Sequence, residues 1–144
     1  MKNLFLCPVC RVRFSVFLRV FLLFCCLGMF SACLSVENND RTLEELYRHM
    51  ARETNCTYFC PMEPGPVHAE GGFSVMLAGR QVAFYKYDRN KVRKQLKKLQ
   101  YVEKNGFIYI AGIKLSAVAH GSFIMVDYEE NKEKEALLKA FKSF

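Results

Sequence analysis

The chain has 144 residues, enough for one domain of ordinary size, and 21 Lys and Arg against 14 Asp and Glu set a net charge of +7. The surplus is uneven: Lys2, Arg11, Arg13 and Arg19 precede the first acidic residue, Glu37, and from Cys33 onward only 17 basic residues face the 14 acidic ones. So weak a surplus lacks the dense basic stripe that a nucleic-acid partner requires.

Behind the basic leader, the 11 residues 20–30, VFLLFCCLGMF, are apolar and uncharged. A bilayer-spanning helix needs about 20 apolar residues, so a run of this length has the build of the hydrophobic region of a secretory signal. The alternative is an uncleaved anchor over residues 14–34, with Arg19 reaching back to the headgroups. The segment that follows, Phe30-Ser31-Ala32-Cys33, resembles the lipobox of bacterial lipoproteins, in which a hydrophobic residue and two small ones precede a cysteine that is diacylated and becomes N-terminal. An ordinary signal-peptidase site wants a small residue where Phe30 stands, which favours the lipid reading.

The resemblance implies a signal peptide over residues 1–32, lipid on Cys33, and a membrane partner reached through that lipid. Two acyl chains hold a protein stably where one does not. Leu34, and not Asp, follows the cysteine, and by resemblance to enterobacterial sorting this implies the outer membrane. Residues 33–41 are polar after Leu34 except for Val36 and lack periodicity, which predicts a short lipidated stalk before a single domain over residues 42–144.

Of the seven cysteines, Cys7 and Cys10 lie in the leader with no second CxxC to complete a zinc ribbon, and Cys25 and Cys26 sit in the apolar run as small hydrophobes. Beyond Cys33 only Cys56 and Cys60 remain. In an exported chain these two are expected to form a disulfide, contributing about 2 kcal/mol. The same stretch, Tyr58-Phe59-Cys60-Pro61-Met62-Glu63-Pro64, resembles part of a short heavy-metal-binding segment of copper-export proteins. That resemblance implies an alternative in which Cys56, Cys60 and Met62, with His68 nearby, hold copper(I) through soft ligands.

Thr42 followed by Glu45 is a capping-box pattern, and Leu43, Leu46, Tyr47 and Met50 repeat at helical spacing, which predicts a helix over residues 42–54 with His49 on its polar side. Prolines and glycines crowd residues 60–72, which reads as a long loop and as the best candidate site. Residues 73–77 and 81–87, joined at Ala78-Gly79-Arg80, read as a hairpin. A basic helix follows, capped by Asp88, with Val92, Leu96 and Leu99 as its apolar stripe. Its Lys91, Lys94, Lys97 and Lys98 form a solvated face or, beside a membrane, a contact for anionic headgroups or cell-wall polymer. Runs at 107–110, 113–119 and 122–128, turning at Ala111-Gly112 and His120-Gly121, predict a three-strand meander. Asn131 is expected to cap a last helix lined by Leu137, Phe141 and Phe144.

The expected fold is therefore α+β, a single antiparallel sheet made of a hairpin and a three-strand meander, with about three helices packed on one face. No Gly-rich phosphate loop, HExxH helix or GxSxG elbow occurs in the sequence. The expected function is that of a membrane-tethered, non-enzymatic binding or structural module in the bacterial envelope, with no cofactor, whose partner is an envelope protein or a cell-wall component. The alternative is a periplasmic metal-handling or thiol redox protein that uses the Cys56 and Cys60 segment.

Overall fold

The computed structural model describes residues 38–90 and 93–144. The signal segment, the four cysteines within it, Cys33, Leu34, Lys91 and Val92 lie outside the described residues. In chain order the elements are α1 (Leu43–Glu53), β1 (Thr57–Met62), a 3₁₀ turn (Gly65–Val67), β2 (Gly71–Leu77), β3 (Arg80–Lys86), α2 (Arg93–Asn105), β4 (Phe107–Ile110), β5 (Ile113–His120), β6 (Phe123–Val126) and α3 (Lys134–Lys142). The strands form one six-stranded antiparallel sheet in the order β1-β2-β3-β6-β5-β4, so the fold is α+β.

Local chemistry accounts for most of these boundaries. The capping box of α1 is complete: Thr42 Oγ1 accepts the Glu45 N–H at 3.1 Å, and Glu45 Oε2 accepts the Thr42 N–H at 2.7 Å. That backbone hydrogen bond holds the Glu45 carboxyl below its ordinary range. Two Ala-Gly pairs close hairpins with both residues at positive φ, Ala78 and Gly79 at 49° and 76°, Ala111 and Gly112 at 49° and 83°. This is the backbone of a type I′ turn, whose twist matches the flanking strands. The β5–β6 turn falls at Gly121-Ser122, one residue later than expected, because His120 still pairs with Phe123. Strand β6 stops at Val126, short of the expected residue 128, because Asp127 turns into the left-handed region at φ 61°.

Successive side chains of a strand point to opposite faces, and here both faces are buried. Phe73, Val75 and Leu77 of β2, Val82 and Phe84 of β3, and Phe123 and Met125 of β6 form one core with Leu46 and Met50 of α1 and Leu137 and Phe141 of α3. Tyr85, Ile124, Val126, Ala117 and Ile108 form a second core with Leu99 and Val102 of α2. The expectation of helices on one face is thus corrected: α1 and α3 cover one face and α2 the other. The stripe of α2 is also rotated from the one expected. Its buried residues are Gln95, Leu99 and Val102, and Gln95 is drawn inward because its Oε1 accepts the Asp88 N–H at 2.6 Å.

Neither Asp88 nor Asn131 occupies the capping position expected of it. Asp88 Oδ1 accepts the Asn90 N–H at 2.7 Å, five residues ahead of the first residue of α2. Asn131 is buried, donates to the Leu77 carbonyl at 2.9 Å and accepts the Glu133 N–H at 2.9 Å, which ties the turn before α3 to the end of β2.

The expected loop over residues 60–72 is an edge strand followed by a single helical turn. Pro61 is tolerated in β1 because an edge strand leaves one row of N–H groups unpaired. The ladder shifts between Thr57 and Cys60, where Tyr58 takes φ 57°. Stacked rings hold the strand in place: Phe59 lies 5.2 Å from Phe73, which lies 5.0 Å from Phe84, while Tyr47 of α1 sits 4.8 Å from Phe59.

At the other end of the described chain, Asn38 is 5% exposed and its Oδ1 accepts the Ser122 N–H at 2.7 Å. Asn39 Oδ1 accepts the Arg89 N–H at 3.1 Å and the Ser122 hydroxyl at 2.8 Å. The fold therefore takes in two residues expected to belong to the stalk. The compact unit Val36–Phe144 contains both cores, the whole six-stranded sheet and the three helices packed on it.

Gly72 pairs with Tyr85 across the β2–β3 ladder, and a Cβ there would lie 2.6 Å from Tyr85 Cδ1 and 3.0 Å from the Phe84 carbonyl. Tyr85 is only 3% exposed and has little room to retreat. Gly72→Ala is expected to lower stability by about 1–3 kcal/mol, whereas Gly65→Ala, with nothing within 4 Å, is expected to be close to neutral. Urea unfolding of the two variants checks this, and equal midpoints would refute it.

Candidate functional site

The segment singled out by its cysteines and prolines spans β1 and the turn after it, and the register shift between Thr57 and Cys60 leaves Cys56 in one core and Met62 against the other. Cys56, just before β1, is buried in the core shared with α1 and α3. Cys60 is exposed and pairs in register with Ser74. Both thiols are free, and no disulfide joins them. The expected bridge is therefore not formed: Cys56 lies in the core while Cys60, beyond the register shift of β1, lies at the surface.

The other two expected copper ligands do not join these thiols. Met62 packs against the opposite core, where its sulfur accepts the Tyr85 hydroxyl at 3.8 Å. His68 is exposed at the end of the 3₁₀ turn, with φ 57°. The four residues Cys56, Cys60, Met62 and His68 are thus distributed over both faces of the sheet and its surface. Among the described residues, no group of three or more His, Cys, Asp or Glu is placed to hold a metal ion.

The segment does contribute to a different feature. Met62, Ala83, Tyr85, Ile110, Leu115 and Val126 line a shallow depression of about 200 Å³ on the face that α2 covers only in part. Met62 comes from one sheet edge and Ile110 from the opposite edge strand, so the sheet curls around this face. Burial pushes the Tyr85 phenol up from its ordinary value. Tyr87, deeper on the same side, is pushed up by burial and by the neighbouring Tyr85, and its hydroxyl donates to the Val67 carbonyl at 3.3 Å. Phenols in this state are proton donors that stay neutral, suited to packing and hydrogen bonding.

The remaining histidines hold the structure together. His49, expected to be solvated, is half-buried: its Nε2 lies 2.9 Å from the Ala140 carbonyl and must donate to it, while Nδ1 accepts from Arg52 at 3.2 Å. It thereby joins α1 to the end of α3. His120 is the last residue of β5 and not part of a turn, with its ring 6.0 Å from Phe141. Desolvation by burial, then Lys142 and Arg41, push its pKa below the ordinary value.

Two exposed surfaces escaped the sequence reading. At the β1 edge, Tyr58 is 78% exposed and Phe59 45%. At the β4 edge, Tyr101, Phe107 and Tyr109 stand in edge-to-face contact at 5.6 and 5.5 Å, beside the basic side of α2. A signal for the second surface was present: Tyr101 falls three and four residues after Lys98 and Lys97, which on a helix makes them neighbours. Compared with known proteins, the chain matches no family model, no curated protein and no solved structure.

The unreduced protein is expected to show Cys60 alkylated readily and Cys56 only after unfolding, because one thiol is exposed and the other lies in the core. Mass spectrometry after alkylation reads this, and an intact mass lower by one disulfide would contradict it.

Stability is also expected to depend on His120. Its pKa in the fold lies below the 6.5 of the free group, so the unfolded chain binds the proton more tightly. The stability this histidine allows is complete above pH 6.5 and is lost as pH falls through its lowered folded-state value. Thermal melting against pH should show that loss in the native chain and a flatter profile in His120→Gln. Parallel profiles would rule it out.

Proposed function

We propose that the protein is a lipoprotein of the bacterial cell envelope, anchored through diacylated Cys33, whose folded domain works as a non-enzymatic binding module close to the membrane. The observation that carries this reading is Phe30-Ser31-Ala32-Cys33 behind a basic leader and an 11-residue apolar run, with Asn38 already buried in the domain. Five Cα steps separate the anchor from that packed residue, a reach of at most about 18 Å. The domain is therefore held beside the membrane surface.

Leu34 after the cysteine supports the outer membrane as the destination. A role in binding is supported by the exposed Tyr58 and Phe59 on the β1 edge, since large apolar side chains in solvent beside the unpaired backbone of an edge strand offer a second chain both contact area and hydrogen bonds. The partner class is an envelope protein or a cell-wall component.

In cells given a radioactive fatty acid, the wild-type protein is expected to carry label and Cys33→Ser to carry none, while the mature domain still accumulates folded. A labelled Cys33→Ser protein, or an unlabelled wild type, would overturn the lipid anchor.

A further inference from the structure

We infer that the exposed side of α2, together with the aromatic strip it shares with β4, lies against the anionic headgroups of the bilayer that holds this chain's lipid. The proximity of that bilayer rests on the lipid-anchored reading; the contact itself is a property of the folded domain.

The first support is where the chain enters the fold. Asn39 is bonded to the Arg89 N–H at 3.1 Å and lies 3.5 Å from Asp88 Oδ1, and the Asp88 N–H is bonded to Gln95 in the first turn of α2. The tether therefore joins the domain at the corner that begins the basic helix. Tyr101 lies eight residues beyond Arg93, about 12 Å along the axis. The tether's reach, about 18 Å, covers that distance.

The second support is charge. With Gln95, Leu99 and Val102 turned to the sheet, Arg93, Lys94, Lys97 and Lys104 are exposed and Lys98 is half-exposed. The one acidic residue of α2, Glu103, is 3.9 Å from Arg89 and so is already paired. Among the described residues, none of the four lysines of α2 forms an ion pair of its own. A polybasic face of this kind gains roughly fivefold in partition per lysine at an anionic membrane surface.

The third support separates a bilayer from other anionic partners. Tyr101 is flanked on the helix by Lys97, Lys98 and Lys104, and its ring continues into Phe107 and Tyr109, with Lys114 Nζ 4.1 Å above the Phe107 ring. Tyr101 is 40% exposed, Tyr109 51%, and Ile113 at the adjoining hairpin 63%. Tyrosines bordered by lysines suit the headgroup level, where the ring meets the acyl boundary, the phenol stays in water and the lysine stems snorkel.

The test uses the unlipidated unit Val36–Phe144 and vesicles of phosphatidylglycerol in phosphatidylcholine, with pure phosphatidylcholine as the reference, at low ionic strength. Sedimentation is expected to show binding only to the anionic vesicles, lost with added salt. The triple variant Lys94→Gln, Lys97→Gln, Lys98→Gln should bind on the order of a hundredfold more weakly with an unchanged circular dichroism spectrum.

The chain contains no tryptophan, so Tyr109→Trp and Tyr58→Trp each introduce a single reporter, one on each edge of the sheet. Brominated acyl chains are expected to quench the first and leave the second untouched. Absence of phosphatidylglycerol-dependent binding, wild-type binding by the triple variant, or quenching at Tyr58→Trp without quenching at Tyr109→Trp would each overturn the inference. Because no lipid on Cys33 enters these measurements, a negative result leaves the fatty-acid labelling outcome standing, and loss of label leaves this one standing.

Discussion

The pairing of β3 with β6 holds the rest of the structure in place. Strands β1 to β3 and β4 to β6 are two meanders, each closed by local turns, and only the register Ala83↔Val126, Phe84↔Met125, Tyr85↔Ile124 and Lys86↔Phe123 joins them into one sheet. Neither meander alone could bury both of its faces. Joined, they place Phe84 and Met125 in the core under α1 and α3, and Tyr85 and Ile124 in the core under α2. Each such side chain contributes about 1.5–3 kcal/mol on full burial, more than the net 0.5–1.5 kcal/mol of a typical ladder hydrogen bond. The side chains, more than the ladder, specify the register, since a slip of one residue would exchange the two cores.

Burial on both faces also decides what happens to the ends. Helices α1 and α3 share a face and are joined by His49, whose ring donates to the Ala140 carbonyl at 2.9 Å. On that side the β1 edge is closed by rings, Phe59 on Phe73 on Phe84, and not by a long regular ladder. This explains how a strand with a shifted register and a proline persists at an edge. It also leaves Phe59 half covered and Tyr58 outside, a compact apolar patch where a regular strand would carry polar side chains.

Much of this architecture was legible wherever local chemistry decides it. The capping box at Thr42 and Glu45 marked α1, two Ala-Gly pairs marked hairpins, and the alternation at Val82 and Phe84 marked β3. Strand β1 was not legible, because Pro61, Pro64 and Pro66 signal a loop and the contacts that make it a strand come from Phe73 and Tyr47, distant in sequence. The covering of the second face was hidden for a related reason: Gln95, a polar residue, takes a buried position of α2 because the Asp88 N–H needs an acceptor. As for the candidate site, even spacing made Cys56, Cys60 and Met62 look convergent, whereas the register shift between Thr57 and Cys60 breaks the alternation and leaves Cys56 in one core, Met62 against the other and Cys60 at the surface. The aromatic strip at β4 was missed because its members belong to two elements whose packing no local pattern records.

On the proposal of a lipid anchor at Cys33, the anchor and the basic helix would answer different physical needs. Two acyl chains would already make attachment stable, so the lysines of α2 would not be required to keep the protein on the membrane. A domain on a tether of at most about 18 Å nevertheless retains its rotational freedom, and that freedom is what a modest electrostatic preference removes. At about 1 kcal/mol per lysine near an anionic surface, the cluster exceeds thermal energy several times over while staying weak enough to be screened by salt. If α2 and the β4 edge turn to the headgroups as inferred, the opposite sheet edge, β1 with the exposed Tyr58 and Phe59, would be the part of the domain directed away from the bilayer. The surface best suited to meet an envelope partner would then be presented outward by the same contact that lays the basic helix on the membrane.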